Sequence, residues 1–274
     1  MKHPTEGKVY FSDFRKSFGV EVVCGQHVRH NFSRHTHRTM CIGVVEQGAR
    51  TLVCRGERYE IMPGQVFIIP PGEAHSCGSV GESHTYRLLL VSSDIFQMIL
   101  PKTERDNYIF KNLVFCDKRW FDQLLNLHIV LTSTETDFFK QATLISTIGE
   151  IVKYCADIGK DLRICNKQYE SVKHVQNFIE THYEEYFSLD DIAKNTYLSP
   201  YHLIRVFSQI IGTPPHIYKQ QVRIRHAKEM LALGIPLVDV ALKSGYTDQS
   251  HFSKVFKKIV GITPREYTKS LLIQ

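Results

Sequence analysis

The sequence predicts an α+β protein of two domains. The first is an antiparallel β-barrel with trailing helices, and the second is an all-α domain of two helix-turn-helix units joined by a linker helix. Three observations carry this. Residues 8–95 hold short β-type runs separated by Gly and Pro turns. From about residue 119 the apolar period becomes helical. Beyond residue 188 one pattern occurs twice.

The β-type runs are Glu21–Val23, Ile42–Val45, Thr51–Cys54, Val66–Ile69 and Tyr86–Val91. Between them lie Gly48, Gly56, Pro63-Gly64, Pro70-Pro71-Gly72 and Gly78. Closely spaced strands with such punctuation form a sandwich or barrel. Phe121, Leu124, Leu125, His128 and Leu131 then fall on one helical face, and Phe138, Ala142, Ile145, Gly149 and Val152 mark another. Helices are expected at about 119–131 and 138–156. Residues 157–168 are polar and read as a linker. The domains are therefore 1–165, with the barrel at about 8–95, and 166–274.

A chain of 274 residues suits two domains. No apolar run approaches the roughly 18 residues of a membrane span, and the N-terminus lacks a signal-peptide core. A soluble cytoplasmic protein with no membrane partner is expected. The seven cysteines, at 24, 41, 54, 77, 116, 155 and 165, are odd in number and include no CxxC pair. That pattern points to reduced, mostly buried thiols rather than a disulfide framework or zinc ribbon. The net charge is +6, and residues 167–274 hold 14 Lys/Arg against 10 Asp/Glu. Lys254, Lys257, Lys258, Arg265 and Lys269 crowd the end of the chain, which suits a phosphate backbone.

The repeat is the strongest signal. Leu189-Asp-Asp-Ile-Ala193 is matched by Leu237-Val-Asp-Val-Ala241, 48 residues later. Leu203, Phe207, Gly212 and Pro215 are matched by Phe252, Phe256, Gly261 and Pro264, 49 residues later. Each unit has the parts of a helix-turn-helix. Ser188 and Asp191 make a capping box. Ser199 caps the second helix, with Pro200 at its first position. In the second unit Pro236 opens the first helix, Gly245 supplies the turn and Thr247 caps the recognition helix. Gly212 and Gly261 end the recognition helices. Thr213-Pro214 and Thr263-Pro264 start new ones, the latter with Glu266 completing a capping box. A connecting helix from about His216 to Leu233 would span roughly 27 Å, comparable with the roughly 34 Å between successive major grooves on one face of a duplex.

Residues 170–270 resemble the DNA-binding domain of the AraC/XylS family of bacterial transcription regulators. The matching residues are Gly245-Tyr-Thr-Asp-Gln-Ser-His-Phe-Ser-Lys-Val-Phe-Lys-Lys258, Gly261-Ile-Thr-Pro264, and Tyr218, Arg223, Ile224, Ala227, Lys228 and Leu231 of the linker helix. The resemblance implies double-stranded promoter DNA and RNA polymerase as partners, activation rather than repression, and no catalytic residue. A recognition helix offers its exposed N-terminal residues to base edges. These are Tyr201, His202, Ile204 and Arg205 in the first unit, and Gln249, Ser250, His251, Ser253 and Lys254 in the second. Arg205 suits guanine, Gln249 adenine and Ile204 a thymine methyl. Lys257, Lys258 and Arg265 suit phosphate.

In the first domain, Gly64-x5-Pro70-x-Gly72-x2-His75 resembles the second motif of the cupin barrels, and His35-Thr36-His37 resembles the core of the first. Imidazoles at i and i+2 share one face of a strand. Metal-dependent cupins carry a carboxylate shortly after the paired histidines. Here those positions are Cys41 and Ile42, Glu46 comes late, and Ser79 stands where an asparagine is common. The ligand set is incomplete, so no metal is assigned. Zinc, iron or another transition metal on His35, His37 and His75 is the alternative. The expectation is a metal-free pocket in which these histidines and Arg38, Glu73 or Tyr86 bind a small polar effector. The family resemblance also implies a homodimer through the trailing helices. Two other functions are open: a metal-dependent cupin enzyme using His35, His37 and His75, and a DNA-binding protein whose first half only dimerises.

Overall fold

The computed structural model describes residues 7–271 apart from 100–107, 111, 159–166, 195 and 197. Strand β1 (Lys8–Phe14) and the single turn α1 (Arg15–Phe18) lead into β2 (Val20–Val28). There follow β3 (Phe32–His35), β4 (Met40–Cys54), β5 (Glu57–Ile61), β6 (Gln65–Ile69) and β7 (His75–Val91). The path continues through α2 (Ser93–Ile99), β8 (Tyr108–Phe110), β9 (Val114–Cys116), α3 (Lys118–Thr132), α4 (Asp137–Cys155) and β10 (Ala156–Ile158). The C-terminal part is α5 (Lys167–Thr181), α6 (Leu189–Ala193), α7 (Pro200–Ile211), α8 (Pro215–Ala232), α9 (Leu237–Lys243), α10 (Gln249–Val260) and α11 (Pro264–Leu271).

Eight antiparallel strands form one sheet in the order β1-β2-β7-β4-β6-β9, with β3 added to β7 and β5 to β4. Two expected breaks are absent. Ile42–Val45 and Thr51–Cys54 belong to a single strand, and Gly78 lies inside β7. Gly48 adopts φ +69°, and the β4–β7 register shifts on either side of Gln47. Gly48 is therefore part of an irregularity that bends the strand without ending it. A side chain there would fall 2.2 Å from the Ser83 carbonyl oxygen.

The barrel core is built from alternating inward residues such as Met40, Ile42, Val44, Leu52, Val66, Ile68, Leu89 and Val91. Helices α3 and α4 extend that core with Leu124, Leu127, Leu131, Leu144, Ile148, Ile151 and Val152. The face expected for α4 is corrected. Of the expected face, Gly149 and Val152 are buried and Ile145 is half-buried, but Phe138 is 82% exposed and Ala142 is also exposed, whereas Leu144 and Ile148, outside that face, are buried. Apolar residues occupy more than one face of this helix, so only the surface it packs on decides which stripe goes inside. Of the expected linker, residues 157–158 pair in β10 with β8, and 167–168 begin α5. The rest, including the boundary at 165/166 and Cys165, lies outside the described residues.

Helix α8 joins the two helical units. Tyr218 and Val222 enter the core of the first unit with Val172, Val175, Ile179, Leu203 and Phe207. Ile224, Ala227 and Leu231 enter that of the second with Val240, Phe252, Phe256 and Tyr267. A helix anchored in two cores holds its units as one stiff body. The second core continues onto the barrel through Val9, Phe11, Val23 and Val28. There Glu21, only 2% exposed, accepts from Lys228 Nζ at 2.5 Å and from the Tyr267 hydroxyl at 3.0 Å.

Most predicted caps are present. Ser188 and Asp191 form the capping box, Ser199 accepts from His202 N, and Thr263 pairs reciprocally with Glu266. Two differ. The cap of α10 is Asp248, which accepts from His251 N at 2.7 Å; Thr247 stands one residue too early for that reach. Helix α8 begins at Pro215 behind Pro214 with no side-chain cap, and Thr213 is buried instead.

Candidate functional site

The two recognition helices are α7 and α10. Each buries a stripe at i, i+3 and i+4: Leu203, Val206 and Phe207 in one, Phe252, Val255 and Phe256 in the other. That stripe dictates which residues face water. Tyr201 is 80% exposed, Arg205 is exposed, and His202 and Ile204 are half-buried. Gln249, Ser250, His251, Lys254, Lys257 and Lys258 are exposed, as is Arg265 at the start of α11, and Ser253 is half-buried. The His251 ring lies edge-on to Tyr246, 5.4 Å between centroids. The candidate base-reading residues sit in the first two turns of α7 and α10, beside helix N-termini whose backbone N–H groups favour an anionic partner.

The opposite ends of both helices press on the barrel. Gly212 and Gly261 close α7 and α10 in the left-handed conformation, φ 82° and 91°. A Cβ on Gly212 would lie 2.1 Å from Ala74 Cβ, and one on Gly261 would lie 3.1 Å from the Phe32 ring. Arg34 Nε donates to the Gly212 carbonyl at 2.8 Å. Gly212→Ala is expected to destabilise the chain by more than the roughly 1 kcal/mol of a left-handed alanine, because Ala74 blocks the methyl. Adding Ala74→Gly should restore the excess in urea denaturation. Equal stability of the single and double variants would show that the two surfaces separate freely.

The three candidate histidines converge. Ring centroids are 4.3 Å apart for His35 and His75, 4.8 Å for His37 and His75, and 5.8 Å for His35 and His37. Strand pairing produces this, because His35 lies opposite His75 in the β3–β7 register. Each Nδ1–H points at a backbone carbonyl: Ser33 at 2.7 Å, Thr39 at 2.8 Å and Glu73 at 2.9 Å. Burial holds His37 at about 4. It also pushes His75 well below, and His35 below, the ordinary imidazole value. The rings are thus neutral at neutral pH, with Nε2 left as the acceptor.

The other expected effector ligands are not gathered with them. Arg38 extends to Glu180 of α5 at 3.2 Å. Glu73 pairs with Arg55 at 2.6 Å. Tyr86 is buried beneath the Arg50 guanidinium, 4.4 Å from its ring centroid. Each finds a partner that lies far away in sequence, which no local pattern reveals. Sequence reading missed Arg50 and His84. Arg50 is 4% exposed, lies over Phe32, Phe67 and Tyr86, and has Nη1 2.8 Å from His84 Nε2. The available signal was its phase, since Arg50 alternates with Leu52 and Cys54 on the inward face of β4. Glu46, the late carboxylate, is held by Arg87 at 2.8 Å.

Tandem recognition helices on a shared rod, docked on a β-barrel with a buried polar cluster, define a two-headed DNA reader joined to a sensor domain. Residues 192–270 match the helix-turn-helix domain model, and residues 18–147 match the AraC-like ligand binding domain. The HTH-type transcriptional regulator YbfI of Bacillus subtilis is 31% identical over 221 residues, covering 80% of each chain. The lactose operon transcription activator of Staphylococcus xylosus is 24% identical over 211 residues, 69% of this chain and 68% of the relative. The chain belongs to the AraC family of helix-turn-helix transcriptional regulators. Its fold is shared with apo ToxT from Vibrio cholerae, TM-score 0.61 at 17% identity, covering 99% of this chain and 100% of the other.

Proposed function

We propose that this regulator is a transcription activator that reads two successive major grooves and changes its DNA affinity when the barrel binds an effector. The observation that carries this is the exposure of Tyr201, Arg205, Gln249 and Lys254 on two helices fixed to one 18-residue rod. Activation is supported by the names of two relatives, the lactose operon activator and the activator AarP of Providencia stuartii, 36% identical over 79 residues. Exposed Leu233, Val238 and Leu242 beside the second unit offer RNA polymerase an apolar surface. Homodimerisation through α3 and α4 is favoured by exposed Ile129, Phe138 and Phe139. Among the described residues no helix is long and apolar enough to cross a membrane; a cytoplasmic location follows from the need to reach DNA. The protein acts by binding rather than catalysis, a reading supported by its match to regulator families and by the pairing of Glu73, the acid two residues from His75, with Arg55.

Phosphate contacts release counterions, so affinity should fall linearly in log-log salt plots, by about 0.9 per contact. The test is a gel shift of the full chain on a site selected from random duplex DNA. Lys257→Ala with Lys258→Ala is expected to reduce the salt slope by about 2 and to weaken all sequences alike. A full chain that binds no duplex, at any salt, would end this reading.

A further inference from the structure

The segment around the histidine pair alternates in a revealing way. His35 and His37 turn toward His75. Their neighbours Arg34, Thr36 and Arg38 instead reach the helical domain. Arg34 Nε donates to the Gly212 carbonyl at 2.8 Å, Thr36 N to Gln221 Oε1 of α8 at 3.2 Å, and Arg38 pairs with Glu180 of α5 at 3.2 Å. Beside the third histidine, Ala74 fills the space against Gly212. One short strap therefore carries two members of the cluster on one side and grips the reader on the other.

The cluster has the form of a ligand set. One ring nitrogen from each of His35, His37 and His75 lies within 4.8 Å of the others. Each Nδ1 is already used by a backbone carbonyl, so Nε2 is the free donor. Such carbonyls are the outer partners that orient metal-binding imidazoles. A tetrahedral ion with metal–nitrogen distances of about 2.0–2.1 Å needs its nitrogens about 3.3 Å apart. From a spacing within 4.8 Å, the nitrogens would close by at most about 1.5 Å to reach that geometry. Three neutral nitrogens without a carboxylate favour zinc, cobalt, nickel, copper or ferrous ions over magnesium or calcium.

We propose that His35, His37 and His75 bind one first-row divalent transition-metal ion, and that this ion is an effector whose binding shifts how the strap holds the reader. The proposal rests on the sensor reading given above and names the effector class. Part of that closure is carried by the strap itself, so that binding shifts Arg34, Thr36 and Arg38 against their partners on the end of α7, on α8 and on α5. The ion thereby favours one arrangement of reader against barrel over another, which is what coupling between two sites requires.

The test uses the full chain, stripped with a chelator and titrated with zinc and cobalt, with DNA affinity measured on the selected site in each state. One cobalt per chain is expected, giving visible d–d bands of a four-coordinate site and no thiolate charge-transfer band. His37→Gln and His75→Ala should each weaken metal binding at least tenfold while circular dichroism confirms the fold. Metal should change DNA affinity roughly 5–150-fold in the natural chain and not in His37→Gln. Arg34→Ala should keep the metal and lose part of that response. Failure of the folded natural chain to take up metal, or uptake unchanged in both histidine variants, overturns the site. Metal held by the histidines with unchanged DNA affinity overturns the effector role. In both cases DNA binding by the metal-free chain keeps the regulator reading intact, whereas absence of DNA binding in every state removes that reading itself.

Discussion

Glu21→Ala is expected to lower the unfolding free energy by about 3–5 kcal/mol, the cost of leaving a buried charge unpaired. Glu21 is 2% exposed and receives both Lys228 Nζ, at 2.5 Å, and the Tyr267 hydroxyl, at 3.0 Å. Without the carboxylate, Lys228 keeps the faces of Phe11 and Tyr267, 5.1 and 5.4 Å from its ammonium, and the longer-range attraction of Asp13, which Arg15 already neutralises. Such contacts supply roughly 1–2 kcal/mol, too little to compensate. The lost stability corresponds to a fall in melting temperature of roughly 10 °C for a chain of this size. Because Glu21 lies on β2 while Lys228 and Tyr267 lie on α8 and α11, the second helical unit should loosen from the barrel first. Glu21→Gln with Lys228→Met removes both charges and should recover most of the loss. Urea denaturation of the three chains decides it. A loss below about 1 kcal/mol in Glu21→Ala would mean that the pair is screened by water and that apolar contacts alone hold the domains.

Arg205→Ala and Gln249→Ala are each expected to remove about 1–3 kcal/mol of sequence discrimination. The two losses should fall at different base pairs, centred about 10 base pairs apart, as the proposed docking of the helices on successive turns requires. Arg205 is exposed on α7 and Gln249 opens α10. Neither side chain belongs to a core, so folding should be unchanged. Binding-site selection with each variant provides the measurement. Relaxed preference at one half of the site, with the other half intact, is the expected result. Loss of preference in both halves from a single substitution would contradict independent reading heads. Unlike the lysine changes, these should leave the salt slope unaltered.

Much of the helical domain was legible because its determinants are local. Ser188, Asp191, Ser199, Gly212 and Gly261 act on backbone groups within a few residues, and the doubled pattern repeats them. The Thr247 error has the same origin: two cap-competent residues stand side by side, and the loop geometry selects Asp248. The barrel was legible as β-structure, but Gly48 and Gly78 resemble turn signals equally well inside long bent strands. Of the expected effector ligands, His35, His37 and His75 converge through strand register. Arg38, Glu73 and Tyr86 carry the polar groups an effector needs, but residue type does not say where a side chain points. Their actual partners, Glu180, Arg55 and Arg50, come from elsewhere in the chain.

Residue order by itself determined the two-domain division of labour, the paired recognition helices, their exposed faces and the three histidines. Periodicity, capping and motif spacing are short-range properties written along the chain. Only the tertiary structure decided that β3 and its flanks touch the closing ends of both recognition helices, that Glu21 locks the second unit to the barrel, and that Arg50 lies buried among aromatic rings. Those contacts join residues up to 246 positions apart. Such distant partners are selected by the packing of whole surfaces, which no local pattern encodes.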